Sequence, residues 1–335
     1  MRPSRRRLLG TAAAASLSLP RFAKAAAEFE WRLGHAAPED FPLHKRLVEA
    51  ANEIDTKTDG RVQISIYANG QLGGQLGLLQ QVRSGAIQIT PVTGQSLTGV
   101  LAKIFVQSVG FAFPDYATVW AALDGDLGKG LRAAIQERLG IVPMTRCWDF
   151  GFRQLTTRDR VVKSAVDIEG LKIRVPIDPD LIWLFRSLTA VPLGMNLQDM
   201  MPAFLSHAVD GQEGVLPLAL AAGVYQQQTY CASTNHVWDG QWLCVNAQAW
   251  LKLPDTSRQI VAAAFDAAAL RQRDDTAAID TNIRNELTKF GMIFNGVDPH
   301  GFRSLLREAN YYAKASERVG DDLWAALEKY AGRLA

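Results

Sequence analysis

The sequence predicts an α/β protein of two lobes with mainly parallel sheets, and three observations lead to this fold class. Strand and helix patterns alternate with short links along residues 29–89, which is typical of a parallel sheet covered on both faces. The chain has 335 residues, a length that suits two modest lobes. A helical pattern at 256–290 would extend for roughly 50 Å, so we expect it to run along both lobes.

The first elements follow from hydrophobic periodicity. Leu47, Ala51 and Ile54 share one face of a helix, and Val62 and Ile64 alternate with polar residues as in a strand. Glycines stand where the two helices end. In order, we predict a strand at 29–34, a helix at 38–58 that ends at Gly60, a strand at 62–67, a helix at 76–83 that closes at Gly85, and a strand that begins at 87–89.

The remaining elements continue the alternation. Asp115 is a residue type that caps helix N-termini, and the strand pattern before Pro176 stops there because proline cannot donate to a sheet. The predicted elements are a helix at 115–139, strands at 141–144 and 171–175, helices at 180–187, 197–206 and 256–290, and two helices within 302–334.

The N-terminal segment is basic and then apolar. Residues 5–7 are arginines, an uncharged stretch follows at 10–20, and small residues surround Ala25 and Ala27. This order is typical of an export signal, and arginines before two leucines indicate the twin-arginine route. We predict a signal over residues 1–27, cleaved near Ala25 or Ala27, and therefore a periplasmic location.

Charge and motif patterns exclude several classes of protein. The net charge is +2 with both signs mixed along the chain, so we expect no basic face for nucleic acid. No segment after the signal is apolar enough to predict a membrane span. The histidines are scattered and no Gly-rich phosphate loop follows a strand, so we predict no cofactor. Cys147, Cys231 and Cys244 are expected to be small buried residues, and the sequence leaves open whether Cys231 and Cys244 pair.

One arginine occupies a position where α/β sheets bind ligands. Arg174 lies near the end of the strand predicted at 171–175, and ligands of open α/β sheets bind beyond the carboxyl ends of strands. A guanidinium group can make two parallel hydrogen bonds to a carboxylate. On spacing alone, a surface arginine in an ordinary salt bridge is an equal alternative.

Five segments, taken in order, resemble one family. They are similar to the substrate-binding proteins of tripartite ATP-independent periplasmic (TRAP) transporters, the DctP-type receptors. The segments cover most of the chain after the signal. They are Gly70–Gly73, Gly151–Thr156, Asp167–Pro176 (like D-x-x-G-L-K-x-R-V-P), Val209–Glu213 (like V-D-G-Q-E) and Thr234–His236 (like T-N-H).

The resemblance implies a two-lobed receptor with hinge strands and one long helix that spans both lobes. We accordingly assign 28–151 with 238–280 to the first lobe and 152–237 with 281–335 to the second. The resemblance also implies a monomer that is not an enzyme. It would hold a small organic carboxylate between its lobes and deliver it to the integral membrane subunits of a TRAP transporter.

The resemblance also implies roles for five residues. Arg174 matches the arginine that clamps the ligand carboxylate, and Arg153 matches a second basic residue of the cleft. Gln212 and Glu213 lie in the motif beside the ligand and the hinge. Gly214 departs from the asparagine that sialic-acid receptors of this family often carry, which argues against sialic acid as the ligand.

Position in the predicted fold adds His35 and residues 93–95 as candidates for ligand contact, and the resemblance adds Asn196 and Asn235. Core or rim packing is the alternative for the histidine and the aromatic residues, and hinge support is the alternative for Asn235. The candidates are His35 and residues 93–95 at the cleft mouth, Trp148 and Phe150 as aromatic walls, Asn196 in a segment that varies among ligand classes, and Asn235.

Two other functions are alternatives to transport. A periplasmic ligand sensor would use the same cleft. An enzyme acting on a carboxylate would need a general base beside Arg174, and Glu213 is the candidate for it. The sequence does not identify the carboxylate, and it does not say whether a metal ion bridges the ligand.

Overall fold

The computed structural model describes residues 27–334. The predicted export signal lies outside the described residues, apart from Ala27. The described part contains eleven strands, most of them short. They are β1 (Phe29–Gly34), β2 (Val62–Tyr67), β3 (Ile89–Thr93), β4 (Ile141–Pro143), β5 (Trp148–Thr157), β6 (Lys172–Val175), β7 (Val191–Gly194), β8 (Gly211–Val215), β9 (Tyr230–Ser233), β10 (Trp238–Asn246) and β11 (Ile293–Gly296).

Helices connect and cover these strands. Three short 3₁₀ segments, Ala102–Ser108, Ala165–Ile168 and Val224–Gln226, accompany them. The α-helices are α1 (Pro42–Lys57), α2 (Gln75–Ser84), α3 (Gly94–Thr98), α4 (Tyr116–Asp124), α5 (Asp126–Leu139), α6 (Pro179–Ser187), α7 (Leu197–Leu205), α8 (Leu216–Ala221), α9 (Ala247–Lys252), α10 (Asp255–Lys289), α11 (Pro299–Glu308), α12 (Tyr311–Val319) and α13 (Asp321–Ala331).

The strands form two sheets that share β5. Along the main path their order is β2-β1-β3-β10-β5-β8-β6-β7, while β4 pairs with β10, and β9 pairs with both β5 and β11. The pairs β1–β2, β1–β3, β6–β7, β6–β8 and β9–β11 are parallel. Both β5 and β10 run antiparallel to their neighbours. The predicted α/β fold of two lobes is confirmed, but the sheets are mixed, with five parallel and five antiparallel strand pairs among the described residues, because β5 and β10 pair only in the antiparallel sense.

Strand β5 crosses from one lobe to the other. Its first half, 148–152, pairs with β10, and its second half, 153–157, pairs with β8 and β9. Strand β10 continues into the first sheet through β3 and β4. The chain therefore passes between the lobes along strands, as the resemblance implies for hinges.

Helix α10 also belongs to both lobes. It has 35 residues and therefore spans about 52 Å at 1.5 Å per residue. Its first half buries Val261 and Phe265 in a core with β1 and α1. Its second half buries Ile283 and Leu287 in a separate core with α7 and α8. The prediction of one long helix along both lobes is confirmed, because a single helix supplies side chains to two cores.

Helices at the C-terminus pack differently from the predicted division of the chain. The sequence assigns 281–335 to the second lobe, yet α12 and α13 pack against α4, α5 and the segment Ala102–Ser108 of the first. Tyr311 and Leu327 are fully buried there. The apolar faces of these two helices are covered largely by these first-lobe segments, while Trp183 of α6, in the second lobe, also packs against Tyr311.

Two predicted helical regions contain more breaks than expected. The predicted helix at 115–139 is interrupted at Gly125, where the backbone leaves the helical region, and forms α4 and α5. The tail contains three helices instead of two, because Asn310 and Gly320 adopt positive φ and end the turns before them. Asp115 caps α4 as predicted, since its carboxylate accepts from the backbone N–H of Thr118 at 2.8 Å.

The three cysteines are buried and form no disulfide with one another. Within residues 27–334, no helix combines the length and apolarity that a membrane crossing requires. The same residues contain no group of three or more His, Cys, Asp or Glu side chains placed to hold a metal ion.

Candidate functional site

A cavity of about 180 Å³ lies between the lobes, beside the crossing strands. Strands β5, β6 and β8 bring their side chains to one wall, and the start of α2 and the end of β3 supply the opposite wall. The lining of the cavity combines polar and apolar residues. The polar residues are Gln75, Thr93, Gln95, Arg153, Arg174, Gln212, Glu213 and Asp239, and the apolar ones include Phe150, Leu197, Met200, Leu218 and Ala219.

Arg174 lies at the wall of this cavity with no ionic partner among residues 27–334. Strand β6 positions it between β7 and β8, and the side chain is only 5% exposed. Its Nε and Nη2 both donate to the backbone oxygen of Met195, at 3.2 and 2.9 Å. Burial lowers the pKa of Arg174, which Glu213 opposes at longer range. A largely desolvated cation therefore faces the cavity, and an incoming anion would offset its desolvation.

The second arginine of the cavity is already paired. Arg153, on β5, donates to both oxygens of Glu213, through Nε at 2.6 Å and Nη2 at 2.7 Å. Its Nη1 donates to Asp239 on β10 at 2.9 Å. All three guanidinium nitrogens are thus used by two carboxylates, so Arg153 joins β5, β8 and β10 where the lobes meet.

His236 completes this buried network. Burial lowers its pKa, so the ring is neutral at pH 7. In the neutral ring Nε2–H donates to Glu213 at 3.1 Å, while Nδ1 accepts from the hydroxyl of Thr234 at 2.7 Å. Burial also raises the pKa of Asp239, against the opposing effect of Arg153.

Glu213 is a poor candidate for a general base. Burial alone would raise its pKa, but the charge of Arg153 and the bonds from Arg153 and His236 hold it at about 2. Both of its oxygens accept hydrogen bonds from protein groups. A carboxylate with so low a pKa has little tendency to take a proton near neutral pH. Glu213, the base that the enzyme alternative named, is therefore unsuited to that role.

Gln212 and Gly214 flank Glu213 on β8 and both line the cavity. The amide of Gln212 donates to the hydroxyl of Thr156 at 3.3 Å, which orients it. A Cβ at Gly214 would lie 3.2 Å from Oε1 of Gln212, closer than most Cβ contacts. Glycine at this position therefore keeps space open beside Gln212 and Arg153.

Two polar residues connect the lobes at the edge of the cavity. Gln95, in α3 of the first lobe, donates through Nε2 to Oδ2 of Asp178, which follows β6 in the second. Asp178 also caps α6, since Oδ1 accepts from the backbone of Asp180 and Leu181. This bond holds the two lobes together on one side of the cavity.

Four of the sequence-predicted site residues lie outside the cavity. Trp148 is fully buried in the core of the first lobe. Asn196 is exposed at the start of α7, where its amide lies 3.5 Å from Asp199. Asn235 exchanges hydrogen bonds with Gln154 and donates to Pro114, so it supports the hinge. His35 is the fourth, and it forms a pair with another histidine. Phe150, Arg153, Arg174, Gln212, Glu213 and Gly214 do line the cavity, as do Thr93 and Gln95 of the segment 93–95.

His35 is buried at the end of β1, where its Nε2 lies 3.1 Å from Nδ1 of His44. Burial, with a smaller contribution from His44, lowers the pKa of His35 to about 4. The unfolded chain then binds a proton that the folded chain excludes between pH 6.5 and 4. We expect the free energy of unfolding to fall by up to about 3 kcal/mol across this range, with part of that slope absent in His35→Asn.

Urea unfolding at closely spaced pH values measures this slope. His300→Asn is the matched control, because His300 is exposed on α11, and it should keep the wild-type slope. An unchanged slope in His35→Asn would show that a different group titrates there.

Asp239, Gln75 and Asp178 are the polar residues around the cavity that the sequence did not predict. Asp239 follows the T-N-H segment by three positions and lies at a register shift in β10, which turns it toward Arg153. A strand pattern alone does not reveal such a bulge. Gln75 comes from the first turn of α2, and its role depends on how the lobes meet.

The protein has two lobes joined by crossing strands, and the cavity between them contains a buried cation. These features define a solute-binding protein of the two-lobed type. A family model describes this class more closely. The chain belongs to the bacterial extracellular solute-binding proteins, family 7 (DctP), because that model matches residues 33–310. It is therefore a DctP-type TRAP substrate-binding protein, and the resemblance inferred from the sequence is confirmed.

Relatives and solved structures cover nearly the whole chain. A solute-binding protein of Roseobacter denitrificans is 28% identical over 312 residues, which are 92% of this chain and 93% of that protein. A TRAP periplasmic solute-binding protein of the same organism, solved with bound L-galactonate, has a TM-score of 0.74 and 26% identity, and covers 91% of this chain and 99% of its own. One from Ochrobactrum anthropi has a TM-score of 0.86 at 23% identity, covering 92% and 97%.

Proposed function

We propose that this receptor holds a small organic anion through its carboxylate group, with Arg174 as the clamp. The observation behind this proposal is a buried guanidinium at the cavity wall whose hydrogen bonds go to one backbone oxygen. The planar guanidinium group of Arg174 has further N–H donors, and it suits a carboxylate, which accepts two parallel hydrogen bonds. Arg153 would not clamp the ligand, because its guanidinium group already donates to two carboxylates, Glu213 and Asp239. It would instead hold these side chains in place at the cavity wall.

The expected strength of such a clamp suffices for a solute receptor. A hydrogen bond to a charged group contributes about 1.5–3 kcal/mol net. Two of them, with contacts made on closure, reach about −8 kcal/mol, which corresponds to micromolar affinity. The Roseobacter denitrificans relative solved with L-galactonate, itself a carboxylate, supports this ligand class.

Binding would be coupled to closure of the lobes about β5 and β10. Closure excludes water from the cavity and strengthens the ion pair at Arg174, because the local dielectric falls. The ligand favours the closed form only through contacts that the open form lacks. Gln75, Thr93 and Gln95 of the first lobe are positioned to make such contacts opposite Arg174.

The closed, loaded form would be delivered to the integral membrane subunits of a TRAP transporter. Membership of the DctP family supports this partner, and the export pattern at residues 1–27 supports a periplasmic location. The protein would act as a monomer without a cofactor.

A thermal-shift screen of organic acids tests the proposal. Each acid is paired with its own amide, which keeps the shape and removes the charge. A true ligand raises the melting temperature by mass action, and its amide should not. The proposal is contradicted if the compounds that stabilise the protein are neutral, or if acid and amide stabilise it equally.

A further inference from the structure

A second interlobe cavity adjoins the first, and it has a different chemistry. This annex has a volume of about 270 Å³ and shares Phe150 with the cavity at Arg174. Pro217 borders the annex and the next residue, Leu218, borders the Arg174 cavity. Its walls come from both lobes and from α10, and the main apolar residues are Phe41, Leu43, Phe150, Leu220, Ile279 and Ile283.

Two aromatic rings of the annex belong to no core cluster of the described residues. Phe150 on β5 and Phe41 before α1 are each half-buried, and neither ring pairs with another aromatic ring within residues 27–334. A large aromatic side chain on a hinge strand usually packs into a core, as Trp148 does two positions earlier. These two rings are instead available to a guest in the annex.

Gln272 and Asp149, two of the polar residues that line the annex, bond to other groups of the protein. Gln272 accepts from the backbone of Asp149 at 2.9 Å and donates to its carbonyl at 2.7 Å and to Thr276 at 2.9 Å. One carboxylate oxygen of Asp149 accepts from Gly151 and from Trp238, both at 2.9 Å. Oδ2 of Asp149 has no hydrogen-bond partner among the described residues, and Asp40 and Gln241 also line the annex. The rest of the lining is mainly apolar, so most of the annex offers no partner to the hydroxyls of a sugar acid.

We infer that the ligand is an aromatic carboxylate, whose acid group binds Arg174 and whose ring enters the annex past Phe150. This inference rests on the proposed function and names the substrate class for that site. A cavity of about 150 Å³ accommodates benzene, so the annex is large enough for a phenyl ring. Aromatic faces at Phe41 and Phe150 suit a flat ring, which stacks on them in offset or edge-on geometry.

Calorimetry with three probes tests the inference on the wild-type protein. The probes are 3-phenylpropanoate, propanoate and D-glucuronate. We expect 3-phenylpropanoate to bind at least about tenfold tighter than propanoate, because ring burial adds apolar contact beyond the shared carboxylate. We also expect it to bind more tightly than D-glucuronate.

Filling the annex provides the matched comparison. Ala221 is exposed at the rim of the annex, and Ala263 is exposed on α10 away from it. Ala221→Trp should remove the preference for 3-phenylpropanoate over propanoate, while Ala263→Trp should keep it. Retention of the preference in Ala221→Trp would place the ring elsewhere and overturn the inference.

The same measurements distinguish a wrong substrate class from a wrong proposed function. One outcome is that D-glucuronate binds in a way that requires Arg174 and is unaffected by Ala221→Trp, while the phenyl ring adds no affinity. The inferred substrate class is then wrong, but the assignment of Arg174 as the carboxylate clamp is supported. If none of the three acids binds and neutral compounds do, the proposed function itself is wrong.

Discussion

Arg174→Ala is expected to abolish ligand binding while leaving the folded protein nearly as stable as before. Truncating one partner of a buried charge pair costs about 2–5 kcal/mol, which is a loss of roughly 30-fold to several thousand-fold in affinity. The unliganded protein should lose less than about 1 kcal/mol, because the direct hydrogen bonds of this side chain go to one carbonyl at a cavity wall. Calorimetry measures the affinity and urea unfolding measures the stability.

Arg186→Ala is the matched control for this variant. Arg186 is exposed on α6, and the substitution removes the same charge without touching the cavity. It should bind the ligand as the wild type does. If Arg174→Ala instead keeps its affinity within roughly threefold of the control, the clamp lies elsewhere.

Glu213→Gln is expected to destabilise the protein by about 3–5 kcal/mol, the usual cost of removing one partner from a buried ion pair. The substitution keeps the shape of the side chain but leaves Arg153 with one carboxylate, Asp239, whose pKa burial already raises. Because Arg153 connects β5, β8 and β10, the loss should weaken the hinge region and lower the unfolding midpoint in urea.

Glu49→Gln is the control for the second variant. Glu49 pairs with Arg46 and is 43% exposed, so its loss should cost about 1 kcal/mol at most. A cost for Glu213→Gln no larger than that of Glu49→Gln would show that the buried network contributes little to stability.

The pH dependence of the Glu213→Gln effect has a defined sign. The pKa of Glu213 is about 2 in the folded protein and 4.5 as its ordinary value, so its contribution is fully present above pH 4.5. The contribution is lost as pH falls from 4.5 to 2, where the unfolded chain takes up the proton first. The stability gap between wild type and variant should therefore be constant near neutral pH and should shrink below pH 4.5.

Elements with a clear period could be predicted from the sequence, and those buried on all sides could not. Strands β1 and β2 alternate in polarity and have the predicted bounds. Strands β5 and β10 are buried along almost their whole length, polar residues included, so polarity does not mark an exposed face in them. The extension of α10 along both lobes was predicted from its length, but the two cores that it enters depend on tertiary packing.

The candidate site divides in a similar way. Motif order indicated Arg174, Arg153 and Glu213, and the structure brings all three to one cavity. Motif order could not indicate that Glu213 already forms an ion pair with Arg153, because a pair between β5 and β8 depends on sheet register. His35 was predicted at the cleft mouth from its place after β1, but its ring points into a buried pair with His44.

A crystal structure of the protein with a bound acid from the thermal-shift screen would show whether Arg174 holds the carboxylate. We expect two carboxylate oxygens about 2.7–2.9 Å from the guanidinium nitrogens of Arg174, inside the closed cavity. A ligand whose acid group lies against other residues, with Arg174 still bonded to Met195 alone, would contradict this expectation.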